Sequence, residues 1–140
     1  MIKVTVVGDA QLQANLALLK TTLEDGSIMD MALEVSLRNT RARFLGRVTP
    51  DGDPWPESRA GAARAAKKGP PFGTLYDTGN LFSSLSSEKI DNFNGAVFQD
   101  DAIAPYGINL YDVWDFLGAS DEDTAEFTGN ALDMLLKGWK

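Results

Sequence analysis

Apolar and polar positions alternate at the start of the chain: Ile2, Val4 and Val6 stand against Lys3 and Thr5, with Val7 closing the run before Gly8. A period of two predicts a strand. The period then lengthens. Leu12, Leu16, Leu19 and Leu23 recur at steps of four, three and four, which sets them on one helical face, and Asp9 is placed to cap that helix. Glu24-Asp25-Gly26-Ser27 interrupts the pattern. A second helical run from about Ile28 carries Ile28, Met31, Ala32 and Val35 on one stripe and Leu33, Leu37 and Phe44 on another. The break fits either a hairpin or a kink in one long helix.

From Gly46 to Gly73 the periodicity disappears. Pro50, Pro54, Pro56, Pro70 and Pro71 fall here with five glycines, and large apolar residues are few. A stretch of this length within a small domain reads as an extended arm. Its piece from Ser58 to Lys68 is rich in alanine and can form a short helix, weak alone because it has almost no apolar face.

Beyond it, Leu75 to Leu85 leads into Glu88-Lys89-Ile90-Asp91-Asn92-Phe93 and Ala96-Val97-Phe98. Asn94-Gly95 between the last two predicts a two-residue turn and an antiparallel pair. The final segment opens with Ser120-Asp121-Glu122-Asp123, where Ser120 can cap and Asp123 can close a capping box. Phe127, Ala131, Met134 and Leu135 continue one face of that helix until Lys137-Gly138. These elements predict an α+β domain over residues 1–140, a small, mainly antiparallel sheet packed by the N-terminal helical region and the C-terminal helix, with residues 46–73 as the arm.

Composition changes the picture in one respect. The chain has 140 residues, 44% of them hydrophobic, which suits one domain with its own core, and no apolar run approaches the roughly 18 residues of a membrane span. No membrane association or export is expected. It has neither cysteine nor histidine, which removes thiolate nucleophiles, disulfides, the usual general base and the commonest metal ligand. Binding or structural roles gain weight, and no cofactor is expected.

The net charge of −7 is uneven: −3 over residues 1–37, +5 over 38–68 and −9 over 69–140. A basic middle between acidic ends fits phosphate binding, neutralisation within the chain, or charge-matched contact between copies. The acidic total and the lack of interleaved aromatic residues favour protein contacts over nucleic acid.

Asp77-Thr78-Gly79 matches the turn that presents the carboxylate of aspartic proteases, two of which a homodimer could pair. Its basic, Gly/Pro-rich surroundings instead favour a capped turn at a permissive glycine. Asp51-Gly52-Asp53 reads as a turn, because the remaining ligands of a calcium loop are missing. Asp121, Glu122 and Asp123 with Glu126 could face a magnesium ion, but a helix N-terminus accounts for them. Trp55, between two prolines, either anchors its loop to the domain's core or serves as an interface hot spot.

Three stretches in order resemble the tail-completion, or virion morphogenesis, proteins of tailed bacteriophages. The first is Arg41-Ala42-Arg43-Phe44 leading to Thr49-Pro50-Asp51-Gly52-Asp53-Pro54-Trp55-Pro56, similar to that family's helix, phenylalanine and Pro-Asp-Gly-x-x-Trp. The second is Leu75-Tyr76-Asp77-Thr78-Gly79-Asn80-Leu81-Phe82-Ser83-Ser84-Leu85, similar to its Leu-x-x-Thr-Gly-x-Leu-x-x-Ser-Leu. The third is Phe116-Leu117-Gly118-Ala119-Ser120-Asp121-Glu122-Asp123, similar to its Phe-Leu-Gly-x-Ser-x-x-Asp. Between Tyr106 and Phe116 the chain departs from the family, lacking its histidine.

The resemblance implies a non-catalytic virion protein of the neck, assembled in the host cytoplasm. It would terminate or complete the tail as a symmetric six-subunit ring, touching the tail tube protein on one side and the head-tail connector or stopper on the other. DNA would pass through without specific binding. The alternatives are a head-tail adaptor or stopper on the portal side, a dimeric aspartic protease using Asp77, and a nucleic-acid-binding protein using the basic segment. On the ring reading, Trp55, Arg59, Arg64, Lys67 and Lys68 of the arm are the expected inter-subunit contacts.

Overall fold

The computed structural model describes residues 9–107, 110 and 114–139. The strand expected over residues 2–7 and the capping side chain of Asp9 lie outside the described residues. Among the described residues the chain is α+β, with five helices and one two-stranded antiparallel sheet. The helices are α1 (Asp9–Glu24), α2 (Ser27–Gly46), α3 (Arg59–Lys68), α4 (Asn80–Ser83) and α5 (Asp121–Leu136). The strands are β1 (Leu85–Lys89) and β2 (Gly95–Gln99).

Helix α2 is the centre of the molecule: the sheet packs on it and so does α5, which also meets α1. The C-terminal helix therefore packs mainly on helices, where the sequence reading set it against the sheet. Two residues separate α1 from α2. Gly26 takes φ of 81°, a left-handed conformation that breaks the helix, and the Asp25 carboxylate accepts the Ser27 N–H at 2.9 Å to start the next one. Those Ser27 bonds, hydroxyl first and backbone second, hold the Asp25 pKa below its ordinary value.

The antiparallel pair is present with a different turn. Leu85 opposes Gln99 and Lys89 opposes Gly95, so pairing begins three residues earlier than expected and Gly95 is a strand residue. The Asp91 carboxylate accepts the Phe93 N–H at 2.8 Å and the Asn94 amide at 3.0 Å, folding residues 91–94 into a side-chain-locked turn. A local hydrogen-bonding aspartate outcompetes the Asn-Gly signal.

The core joins Phe44 of α2, Trp55, Leu81 of α4, Leu85 of β1, Ala104 and Phe116. Phe44 is 1% exposed and stands at its hub, with Trp55 edge-on at 5.2 Å, Phe82 at 5.7 Å and Phe116 at 5.9 Å between ring centres. Edge-to-face aromatic pairs add attraction beyond the area they bury.

Candidate interaction surface

The segment expected as an extended arm is folded onto the domain. At the end of α2 Arg47 adopts φ of 56°, which turns the chain, and Val48 bridges Pro54. The intervening Pro50-Asp51-Gly52-Asp53 closes through Thr49 N–H to Asp53 O at 2.8 Å and Gly52 N–H to Thr49 O at 2.9 Å. The Asp-Gly-Asp stretch is thus the turn the sequence pointed to. It returns Trp55 against Phe44, where the indole N–H donates to Asp115 O at 2.8 Å.

Trp55 is only 6% exposed within its own chain. Its assignment to an inter-subunit contact is therefore corrected. The ring completes an intramolecular aromatic cluster, and its one polar atom is satisfied there.

Helix α3 is fastened at several points. The Ser58 hydroxyl accepts the Gly61 N–H at 2.9 Å as an N-cap, and the Ser58 N–H donates to Thr74 Oγ1 at 3.2 Å. Gly61 packs so closely that a Cβ there would lie 2.6 Å from the Thr74 backbone. Arg64 donates from Nε and Nη2 to Gly73 O at 3.1 and 3.0 Å. Beyond the helix, Phe72 stacks edge-on with Tyr76 at 5.7 Å, and Tyr76 meets Phe82 at 5.9 Å, which joins the aromatic cluster. The paucity of apolar residues misled the sequence reading because carbonyl-directed arginines and a glycine contact hold this segment.

The basic residues divide accordingly. Arg41 donates to Leu85 O, Arg47 to Phe72 O, and Arg64 to Gly73 O. Arg38 pairs with Glu126, and Arg43 with Asp123 at 2.7 Å. Lys68 lies 3.7 Å from Asp77 and 4.8 Å above the Phe72 ring centre. Much of the +5 charge is thus neutralised or hydrogen-bonded within the chain. Of the five expected contact residues, Arg59, Lys67 and Lys68 are exposed, the first two with no ionic partner among the described residues and Lys68 in a solvent-exposed pair with Asp77; Arg64 is tied down, and Trp55 is buried.

Asp77 is 60% exposed on its side chain, and Thr78 Oγ1 accepts the Asn80 N–H at 3.3 Å beside left-handed Gly79 (φ 85°). The triplet is a helix-entry turn. Beside it lies an open hollow of about 590 Å³, lined by residues including Arg64, Asp77, Asn80, Tyr106 and Trp114.

Sequence reasoning missed one network. Ser120 and Asp123 form the expected capping box, but the same Asp123 carboxylate also receives Arg43 and, at 2.9 Å, the Asn39 amide. Arg43 further donates to Gly118 O at 2.7 Å. Burial raises the Asp123 pKa, but the Ser120 N–H, Arg43 and Asn39 outweigh it and hold the value below the ordinary 3.8. This network bolts α5 to α2, with Arg38 and Asn39 also binding Glu126. Its only signal was Asp123 at the closing place of the capping box, with nothing in the spacing to pair it with Arg43.

Among the described residues no group of three acidic side chains is arranged to hold a metal ion, and no helix is long and apolar enough to cross a membrane. Comparison with family models, curated proteins and solved structures finds no match.

Proposed function

We propose that this chain is a structural protein of the bacteriophage neck, which terminates or completes the tail and joins it to the head connector as a symmetric ring of copies. The observation that carries this reading is where the three motif stretches meet. Phe44 and Trp55 of the first, Leu81 and Leu85 of the second and Phe116 of the third are all buried in one cluster. Asp123 of the third stretch anchors to Arg43 of the first. Residues of all three stretches are thus neighbours in one core, which supports reading the resemblance as a whole.

Such a protein works by shape and charge repeated under symmetry and needs no reactive side chain. Exposed Arg59 and Lys67 supply cations for the acidic surface of a neighbouring copy. The test is a phage in which this gene is silenced. Separate heads and unjoined tails that regain infectivity when the protein is added to the lysate are the expected outcome. Normal joined virions without it would overturn the reading.

A further inference from the structure

The tip of the hairpin holds two large apolar side chains out in water: Ile90 and Phe93 are 66% and 65% exposed. The turn that carries them is locked within itself, since the Asp91 carboxylate accepts both the Phe93 N–H and the Asn94 amide. It is also tied to the turn between α1 and α2. The Asn92 amide donates to Glu24 O at 2.8 Å, and Lys89 Nζ donates to Gly26 O at 3.3 Å and pairs with Asp30 at 2.8 Å. Apolar groups on a turn already fixed in place cost little further entropy to bind, and aromatic side chains are enriched at the centres of interfaces.

Charge and shape select the occupant. Glu24, Asp25, Asp30, Glu88 and Asp91 stand exposed around the tip, and Lys89 is the one base in residues 24–30 and 88–94. An apolar centre with an acidic rim calls for an apolar recess with a basic rim. The hollow of about 590 Å³ beside Asp77 has that character: Leu75, Tyr106, Leu110 and Trp114 line it together with Ala60 and Arg64 of α3. Helix α3 carries Arg59, Arg64, Lys67 and Lys68 and no acid, and Asp77 takes up only Lys68.

The tip cannot enter the hollow of its own chain. The hollow's Asn80 and Leu81 lie before β1, and the tip follows it. The five residues of that strand put about 13 Å between Leu85 and Lys89, and the bonds to Glu24, Gly26 and Asp30 hold the tip at the far end.

We propose that the hairpin tip, led by Ile90 and Phe93, docks into the hollow beside α3 of a second copy of this chain, with its acidic rim against Arg59 and Lys67. The contact is heterologous, so each copy offers one tip and one hollow, and repetition links copies head to tail into a closed ring or an open chain. The proposal deepens the ring reading by naming the surfaces that meet, and rests only on its claim that copies associate, not on where they act.

Sedimentation velocity of the full-length protein tests it. The wild type should form oligomers that grow with concentration. Phe93→Asp spoils the tip, and Ala60→Arg, at an exposed position of α3, obstructs the hollow. Each variant alone should associate at least about tenfold more weakly, with unchanged far-ultraviolet circular dichroism. Mixed together they should form a one-to-one dimer, because the Ala60→Arg chain keeps its tip and the Phe93→Asp chain keeps its hollow. Added salt should weaken that dimer. Should Ala60→Arg fold poorly, Arg59→Glu/Lys67→Glu takes its place. A monomeric wild type, a variant that associates as the wild type does, or a mixture that stays monomeric would overturn the proposal. The mixed dimer formed by a protein whose loss leaves virions joined would support this proposal and overturn the neck reading alone.

Discussion

Replacing Trp55 with alanine separates a core residue from an assembly residue. Burial of the indole at 6% exposure, its edge contact with Phe44 and its bond to Asp115 O all belong to one chain. Truncating a buried large aromatic costs about 3–5 kcal/mol, and leaving the Asp115 carbonyl without its donor adds about 1 kcal/mol. Against a stability of about 5–15 kcal/mol for a domain, Trp55→Ala should leave the fold marginal. Trp55→Phe keeps most of the apolar contact but not the donor, and should cost about 1–2 kcal/mol. Urea unfolding followed by far-ultraviolet circular dichroism reads both without relying on tryptophan emission. At about 1–3 kcal/mol per molar urea, the alanine variant should lose at least about 1.3 M in midpoint. An unchanged midpoint combined with weaker self-association would refute the core assignment and return Trp55 to the interface.

Asp123→Asn keeps an acceptor for the Ser120 N–H but strands the Arg43 charge, and should cost about 3 kcal/mol at neutral pH in thermal or urea unfolding. Because the folded state depresses this pKa, the contribution is present above about pH 4 and is lost as pH falls through the lowered value. The gap between wild type and variant should therefore close on acidification; a gap independent of pH would contradict the pairing. Gly61→Ala drives a methyl against the Thr74 backbone, so trypsin should cut after Arg59, Arg64 or Lys67 at least about tenfold faster with the aromatic core intact. Equal cleavage rates would show that α3 is not held there. Asp77→Asn should change stability by less than about 0.5 kcal/mol, since its ion pair with Lys68 is solvent-exposed. Peptide cleavage by the wild type that is lost in this variant would reinstate the protease alternative.

Local patterns in the sequence were read well wherever a side chain acts on its own neighbourhood. The helix before Glu24, the Ser120 capping box and the turns at Gly52 and Gly79 all appear, because each depends on residues within a few positions, although Leu16 and Leu23 of the expected leucine face are about half exposed and Asn15 is the buried residue of that helix. Long-range features were less legible. Arg43 finds Asp123 eighty positions away, and Arg64 and Arg47 serve carbonyls, which no charge count reveals. The segment from Gly46 to Gly73 therefore read as loose although Trp55 and Gly61 secure it. The hairpin register shifted for a related reason, since the Asp91 side chain competes with the Asn94-Gly95 backbone preference.

The central claim, a ring that completes the tail, is tested most directly by electron cryomicroscopy of tail tubes incubated with the purified full-length protein. The account predicts a closed ring of six copies seated on one end of each tube, leaving an axial channel wide enough for DNA. Bare tube ends at saturating protein, or protein bound along the tube wall as single copies, would contradict it.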